Sequence, residues 1–383
     1  MYKNDIREAS EEQLMQFFST IGEKPFRIKQ LNSWLWEKNV HGFDLMQNLP
    51  KKLIEKLKEQ FTFLASQIDQ EVTSRDGTVK FIFRLHDNHL IEGVLIPSGK
   101  RVTACISSQV GCKLGCKFCA TGSMGFTRSL RAWEIIDQYA LMNQRSNELF
   151  DQNITNIVMM GMGEPLDNYE QVIKAINILT SPQGNGLSPS RITLSTVGLV
   201  DQIKQLADER FKANLAVSLH VANNKKRSQL MPVNKNNSIL ELQSALRYYY
   251  KQTNQRITIE YVLIDGINDS LTDAEELAQF CKAFPVKVNL IQFNSTHPPY
   301  QKSTPENTQR FIQYLESKNM VVNLRRSRGE DIAAACGQLV KKKAEGGNLK
   351  VEGRRQNEKK RRKAEGGRRN ESNYELRITE PKN

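Results

Sequence analysis

Apolar positions change their period twice along this chain. Through residues 1–64 they recur at helical spacing. Ser10 and Gln13 make a capping box ahead of "LMQFF", where Leu14, Phe17 and Phe18 share one face. "FRIKQLNSWLWEKN" turns Leu31, Trp34 and Leu35 inward, and a third helix opens near Pro50 with Leu53, Ile54, Leu57 and Phe61. The spacing predicts a small helical accessory domain over residues 1–64. Between residues 65 and 100 the period drops to two. Val79, Phe81, Phe83 and Leu85 alternate with other residues, "DN" follows, and "LIEGVLIP" completes a β-hairpin that links the helices to the main body.

From about residue 101 strand-like and helix-like runs alternate. The strands are "VTACIS", "ITNIVMMG", "ITLSTVG", "ANLAVSLH", "ITIEYVLID" and "KVNLIQFN", each followed by an amphipathic run, and "VVNLRR" adds a last strand before Cys336. Six βα units in series predict an α/β fold with a parallel sheet covered by helices. Six are too few for a closed eight-stranded barrel, so an open, partial (βα)6 barrel is expected over 101–340. After Val340 apolar residues thin out, "KAEGG" occurs twice, and "EKKRRK" runs into the second copy. Residues 341–383 are expected to be a disordered basic tail.

Charge points to a polyanionic partner. The chain carries a net +13, and its last 43 residues hold 15 Lys/Arg against 7 Asp/Glu. Nucleic acid is the commonest polyanion a basic protein meets. With 383 residues, 39 % of them hydrophobic, the chain can bury a sizeable core. It has no apolar run of membrane-spanning length and no apolar core near its start of the secretory kind. No membrane association and a cytoplasmic location are therefore expected. Thiols stay reduced there, so clustered cysteines read as metal ligands or catalytic groups.

The stretch "CISSQVGCKLGCKFCATG" holds four of the six cysteines. Cys112, Cys116 and Cys119 are spaced C-x3-C-x2-C, and the next downstream, Cys281 and Cys336, lie far along the chain. A structural zinc ion and a ferredoxin-type cluster each take four protein ligands. Three ligands on a four-iron core leave one iron open to an amino and carboxylate chelate, and able to pass an electron to it. Zinc with His89 or His220 as fourth ligand is the weaker alternative.

Polar or glycine-rich breaks sit where the barrel strands end, the place where βα barrels collect their chemistry. They are "GMGEP" at 161–165, "LST" at 194–196, "SLH" at 218–220 and Asn294. Gly163 and Glu164 suit a ligand's ammonium group. Ser195, Ser218 and Asn294 offer hydrogen bonds to a ribose or carboxylate. Any one of these could simply cap a strand, but four aligned breaks favour a cofactor site.

The cysteine spacing, with Phe118 between the second and third thiols, resembles the radical S-adenosylmethionine (SAM) enzymes. In that family a cluster reduces SAM and releases a 5′-deoxyadenosyl radical. Beyond it, "CISSQVGCKLGCKFCATGSMGFTRSL", "MGMGEPLDN", "ITLSTVGL", "VSLH", "LMPVN" and "RRSRGEDIAAACGQL" together resemble the RNA adenine C2-methyltransferases, over about residues 1–340. Those enzymes act on 23S ribosomal RNA and, in some members, on transfer RNA. A sister family that methylates C8 of the same adenine shares most of these motifs; Arg328–Gly329 before the acidic pair looks like the C2 group.

The resemblance implies roles. Cys112, Cys116 and Cys119 match the ligands of a [4Fe-4S] cluster. Gly163, Glu164, Ser195, Ser218, Leu219, His220 and Asn294 match positions that contact SAM. Cys336 matches the cysteine that becomes S-methylated, and Cys105 the second catalytic thiol. Glu92 aligns with a proton acceptor, although Gly93 beside it departs from the expected Thr or Val.

The implied cycle uses two SAM molecules. Adenine C2 is a poor nucleophile, so Cys336 takes the methyl group first. A radical from the second SAM then activates that methyl group, which adds to C2. Cys105 frees the base by forming a disulfide bond with Cys336. The resemblance also implies a flavodoxin-type electron donor and an unstacked target adenine, as in ribosome assembly intermediates. A monomer is expected, and Cys281 is left as a small core residue. From another class, the competing expectation is a zinc-stapled RNA-binding module without catalysis.

Overall fold

The computed structural model describes residues 3–294 and 299–339. The tail expected at 341–383 lies outside the described residues.

The N-terminal segment builds its own core. Strand β1 (Asn4–Asp5) precedes helix α1 (Glu11–Thr20), whose first turn is closed by the Ser10–Gln13 capping box. Helix α2 (Phe26–Asn32) runs on into a π-helical turn, Ser33–Glu37. Helix α3 (Lys51–Gln60) leads into β2 (Phe61–Thr62), which pairs in parallel with β1. Leu14, Phe18, Leu31, Leu35, Leu53 and Leu57 meet in one apolar cluster.

Strands β3 (Gln67–Thr73), β4 (Val79–Arg84), β5 (Leu90–Ser98) and β6 (Arg101–Cys105) form an antiparallel run. The hairpin expected from alternation is therefore present, but it is no separate linker. It continues the barrel sheet through β6, and β3 adds a strand the sequence does not advertise. "QIDQEVT" has only Ile68 and Val72 as apolar residues, four apart, because β3 is the outermost strand and mostly solvated.

After β6, a short hairpin of β7 (Gln109–Gly111) and β8 (Phe126–Ser129) brackets the cysteine loop and the one-turn helix α4 (Ala120–Ser123). Gly111 is required at the pinch. Its φ is 78°, and a side chain there would meet the Gly125 carbonyl oxygen at 2.0 Å.

The βα series then runs α5 (Ala132–Phe150), β9 (Asn156–Met159), α6 (Tyr169–Thr180), β10 (Ile192–Thr196), α7 (Val200–Asp208) and β11 (Asn214–Ser218). It continues with α8 (Asn224–Leu230), α9 (Ile239–Thr253), β12 (Ile257–Leu263), α10 (Leu271–Cys281), β13 (Val286–Gln292), α11 (Pro305–Ser317) and β14 (Val322–Arg325). The sheet order is β14-β13-β12-β11-β10-β9-β6-β5-β4-β3. From β6 to β14 every neighbouring pair is parallel, so seven parallel strands form an open barrel with an antiparallel extension. β12 is buried at all seven positions, as a strand covered on both faces must be.

The helical segment is held to α5 by a buried ion cluster. Arg7 reaches Asp137 at 2.6 Å and Asp5 at 2.8 Å, and its guanidinium lies 4.5 Å from the Trp133 ring centroid. Such a contact adds cation–π attraction to the ion pairs.

Candidate active site

The cysteine loop is shaped by backbone hydrogen bonds. The Cys112 N–H donates to the Gly125 carbonyl at 2.9 Å, that of Cys119 to Cys116 at 3.1 Å, and that of Lys117 to Leu230 at 3.0 Å. The three thiols face one cavity at the C-terminal ends of the barrel strands. It encloses about 1020 Å³, counted out to its solvent mouth. Gly163, Glu164, Ser195, Ser218, His220, Asn294 and Cys336 also line it.

These residues fit an iron–sulfur core. Among the described residues no three His, Cys, Asp or Glu side chains converge on a point that would hold a single metal ion. The three cysteines line one cavity, and Cys119 acts on the thiols of both the others, a grouping that suits a core taking each thiolate on a different iron. Burial pushes the Cys116 thiol well up and that of Cys112 to about 11, with neighbouring anionic groups adding to both. Thiols so reluctant to ionise become ligands where metal charge displaces their protons.

The zinc alternatives gain nothing. His89 sits in the β4–β5 turn and lines no described cavity. His220 accepts a hydrogen bond at Nδ1 from the Val262 N–H at 3.1 Å and stacks edge-on against Phe118. Burial, and then Arg227, hold His220 neutral by lowering it to about 3.

Gly163 must be glycine. Its φ is 97°, and a Cβ would meet Gln109 Cβ at 2.5 Å. Glu164 beside it is buried, and its carboxylate accepts from the N–H groups of Leu166 at 3.1 Å and Val197 at 3.0 Å. Burial nevertheless pushes it up to about 7. Ser195 Oγ and Ser218 Oγ lie 3.4 Å apart across β10 and β11. Leu219 does not line the cavity. Its side chain is buried, and its carbonyl accepts from Arg227 Nε at 3.2 Å. Arg227 also donates to the Val197 carbonyl and to Asn234 of "LMPVN", tying two strand-end loops together.

A second cavity of about 690 Å³ adjoins the first. Cys105 opens onto it, with Arg325, Arg326 and Arg328. Cys336, Asn294, Met160 and Ile291 line both cavities. Asn294 fixes that shared wall: its Nδ2 donates to the Cys336 carbonyl at 3.2 Å, and its Oδ1 accepts from Ser327 Oγ at 2.6 Å.

The two outlying thiols are unpaired. All six cysteines are free, so the disulfide bond expected between Cys105 and Cys336 is not formed here. Both thiols border the second cavity. Burial raises Cys105 to about 12; Cys336 is an exposed residue, yet loss of water around its sulfur lifts that thiol above the ordinary range, while Arg325 opposes the rise at both. Glu92 lines neither cavity; it is buried on β5 with Lys80 3.5 Å from its Oε1.

Residues 4–63 match the family model "Ribosomal RNA large subunit methyltransferase N-terminal domain", and residues 106–281 match "Radical SAM superfamily". A probable dual-specificity RNA methyltransferase RlmN of Christiangramia forsetii is 47 % identical, over 89 % of this chain and 97 % of its own length. The chain belongs to the RlmN family. A second relative, the dual-specificity RNA methyltransferase RlmN of Desulfotalea psychrophila, is 44 % identical over 88 % of this chain and 95 % of its own. The crystal structure of a radical SAM methyltransferase from Sphaerobacter thermophilus superposes with a TM-score of 0.82 at 41 % identity, covering 88 % of this chain and 99 % of that one. A radical SAM enzyme of the RlmN family works with a [4Fe-4S] cluster and SAM. No helix among the described residues is long and apolar enough to cross a membrane.

Sequence reading missed two groups in this RlmN-family site. Glu260, on β12, lines the first cavity, and Arg325, at the end of β14, lines the second. Glu260 has one sequence signal, a charge inside an otherwise apolar strand, whereas Arg325 opens the charged run "RRSRGED" that precedes Cys336.

Proposed function

We propose that this enzyme methylates C2 of an adenine in 23S ribosomal RNA through a methyl group carried on Cys336. What supports this most is the position of Cys336 on the wall common to both cavities, since a carrier must meet the methyl donor on one side and the base on the other.

Cys112, Cys116 and Cys119 would hold the cluster, with Gly163, Glu164, Ser195, Ser218, His220 and Asn294 around SAM. When bound, the cluster supplies the electron that splits SAM into methionine and a 5′-deoxyadenosyl radical. Cys336, as a thiolate, displaces the methyl group of a first SAM: its sulfur–carbon bond forms as the sulfonium bond breaks. That methyl group then gives one hydrogen atom to the 5′-deoxyadenosyl radical, its carbon bonds to C2, and the adduct gives up one electron, for which the cluster would be the acceptor. Once the C2 proton has left, the Cys105 sulfur attacks the Cys336 sulfur, forms a transient disulfide, and frees the methylated base. Each turnover so consumes two SAM.

Arg325, Arg326 and Arg328 line the second cavity with cationic charge suited to RNA phosphates. The adenine has to be unstacked to enter, which favours loosely folded assembly intermediates over the finished subunit. Dual specificity, as in the relatives' name, extends the reading to transfer RNA. A monomer working in the cytoplasm with a flavodoxin-type electron donor completes it.

The test is anoxic turnover with SAM, a reductant and protein-free ribosomal RNA, followed by digestion and mass spectrometry. 2-Methyladenosine is expected from the native enzyme, with none from Cys336→Ala, which still forms 5′-deoxyadenosine. Cys105→Ala is expected to accumulate RNA bonded to protein. Full methylation by Cys336→Ala, or 8-methyladenosine as the product, overturns the proposal.

A further inference from the structure

The loop that carries Cys336 is fastened from two sides. On one side it meets the cysteine loop: the Ala120 N–H donates to the Gly337 carbonyl at 2.8 Å, and Thr121 Oγ1 to the Leu339 carbonyl at 2.7 Å. On the other it meets the β3–β4 turn. Asp331 accepts from Ser74 Oγ at 2.5 Å and from the Arg75 N–H at 3.1 Å. Asp76 accepts from the Gly329 N–H at 3.1 Å and pairs with Arg328 at 3.8 Å. Gly329, at φ 67°, packs too close to Ala334 and Thr78 to admit a side chain.

Ala333, three residues before Cys336, has φ 51°, a left-handed conformation that alanine adopts at a cost. Such a residue persists where its surroundings over-determine it. One of those surroundings is Lys80 on β4, whose Nζ donates to the Ala333 carbonyl at 3.4 Å. The same ammonium lies 3.5 Å from Glu92 Oε1, and the carboxylate side chain is only 3 % exposed. Glu92 faces the barrel interior, on the same side of β5 as Ile96, which lines the second cavity. It lies beneath the loop and not in either cavity wall.

We infer that Glu92 is a positioning residue for Cys336: it holds Lys80, Lys80 holds the Ala333 carbonyl, and the loop so fixed presents the Cys336 sulfur to both cavities. A base for the C2 proton must come within hydrogen-bond reach of the adenine. Glu92 is outside the cavity the adenine would fill, with an ammonium against one of its oxygens. The inference rests on Cys336 as methyl carrier, and Cys336→Ala tests that assumption separately.

The experiment uses the cluster-loaded full chain with SAM and follows two products by mass spectrometry and denaturing gel: S-methylated Cys336 formed without RNA, and protein–RNA adduct formed with it. Glu92→Gln and Lys80→Met are each expected to slow Cys336 methylation by roughly tenfold, the scale of a small misplacement of a reacting atom. The double variant should be no slower than either single one, Lys80→Arg should restore most of the rate, and no adduct should accumulate. A Glu92→Gln enzyme that methylates Cys336 at the native rate and then stalls as adduct overturns the inference in favour of proton abstraction. So does a Lys80→Met enzyme with native rates. Should Glu92→Gln fail to fold, the Lys80→Met and Lys80→Arg pair decides the matter. If Cys336→Ala still methylates RNA, the carrier assignment fails instead, whatever the Lys80 variants do.

Discussion

Arg325 reaches Glu260 at 3.6 Å, and the pair joins the two cavities: Glu260 lines the first and Arg325 the second. Asn289 Nδ2 donates to the same Glu260 oxygen at 2.8 Å, which fixes the carboxylate on its strand. Glu260 Oε2 is buried without a hydrogen-bond partner. A guanidinium is thus anchored where it acts on both the buried Cys105 thiol and the exposed Cys336 thiol.

The two charges act on Cys336 in opposite senses. Arg325 lowers its thiol and Glu260 raises it, against a background set chiefly by burial. Arg325→Gln is expected to move the half-point of Cys336 alkylation to higher pH, and Glu260→Gln to lower pH. Iodoacetamide labelling across a pH series, read by peptide mass spectrometry, measures both. Shifts in the same direction would rule out an electrostatic role for the pair.

Glu164 makes ligand binding depend on pH. Its carboxyl, held up to about 7 by burial, is neutral below that value in the free enzyme. An ammonium group needs the carboxylate, so SAM affinity should weaken as pH falls below 7, by about tenfold per unit. Calorimetric titration with SAM checks this, and Glu164→Gln should bind weakly with no such slope.

The same carboxyl has the reverse effect on stability. Unfolded it ionises near 4.5, folded near 7, so the unfolded state loses its proton first as pH rises. Stability from this group is complete below about 4.5 and declines towards 7. Glu164→Gln should therefore raise the urea midpoint at pH 8 and leave it nearly unchanged at pH 4. An unchanged midpoint at pH 8 would place the carboxyl in a wetter setting than its burial indicates.

Asp137 is the anchor of the helical segment. Removing it leaves the buried Arg7 with Asp5 alone, and breaking a buried pair costs about 3–5 kcal/mol. Asp137→Ala should lower the melting temperature and raise protease sensitivity around residues 60–66. Replacing Asp5, Arg7 and Asp137 together by Asn, Met and Leu should recover much of the loss, because no charge is then stranded.

What could be read in advance was what is local. Three thiols at C-x3-C-x2-C announce an inorganic core because ligands on one short loop need no tertiary help to meet. The alternation of Val79, Phe81, Phe83 and Leu85, the Ser10 cap and the βα series are likewise written in period and spacing. The strand-end breaks at Gly163, Ser195, Ser218 and Asn294 could be placed in one cavity, because parallel strands put all their C-terminal ends on one side.

Tertiary structure decided everything that spans long separations. Strand β3 is a strand because β4 offers it an edge, not because its own residues alternate. Leu219 serves by its carbonyl on Arg227. Glu92 matches a proton-acceptor motif, yet the register of β5 and the reach of Lys80 put it under the Cys336 loop. Arg325 and Glu260 lie 65 positions apart and meet because β12, β13 and β14 are adjacent. Periodicity states which face a side chain takes. Which charge it meets there depends on how the strands are ordered, and that is set only when the whole sheet assembles.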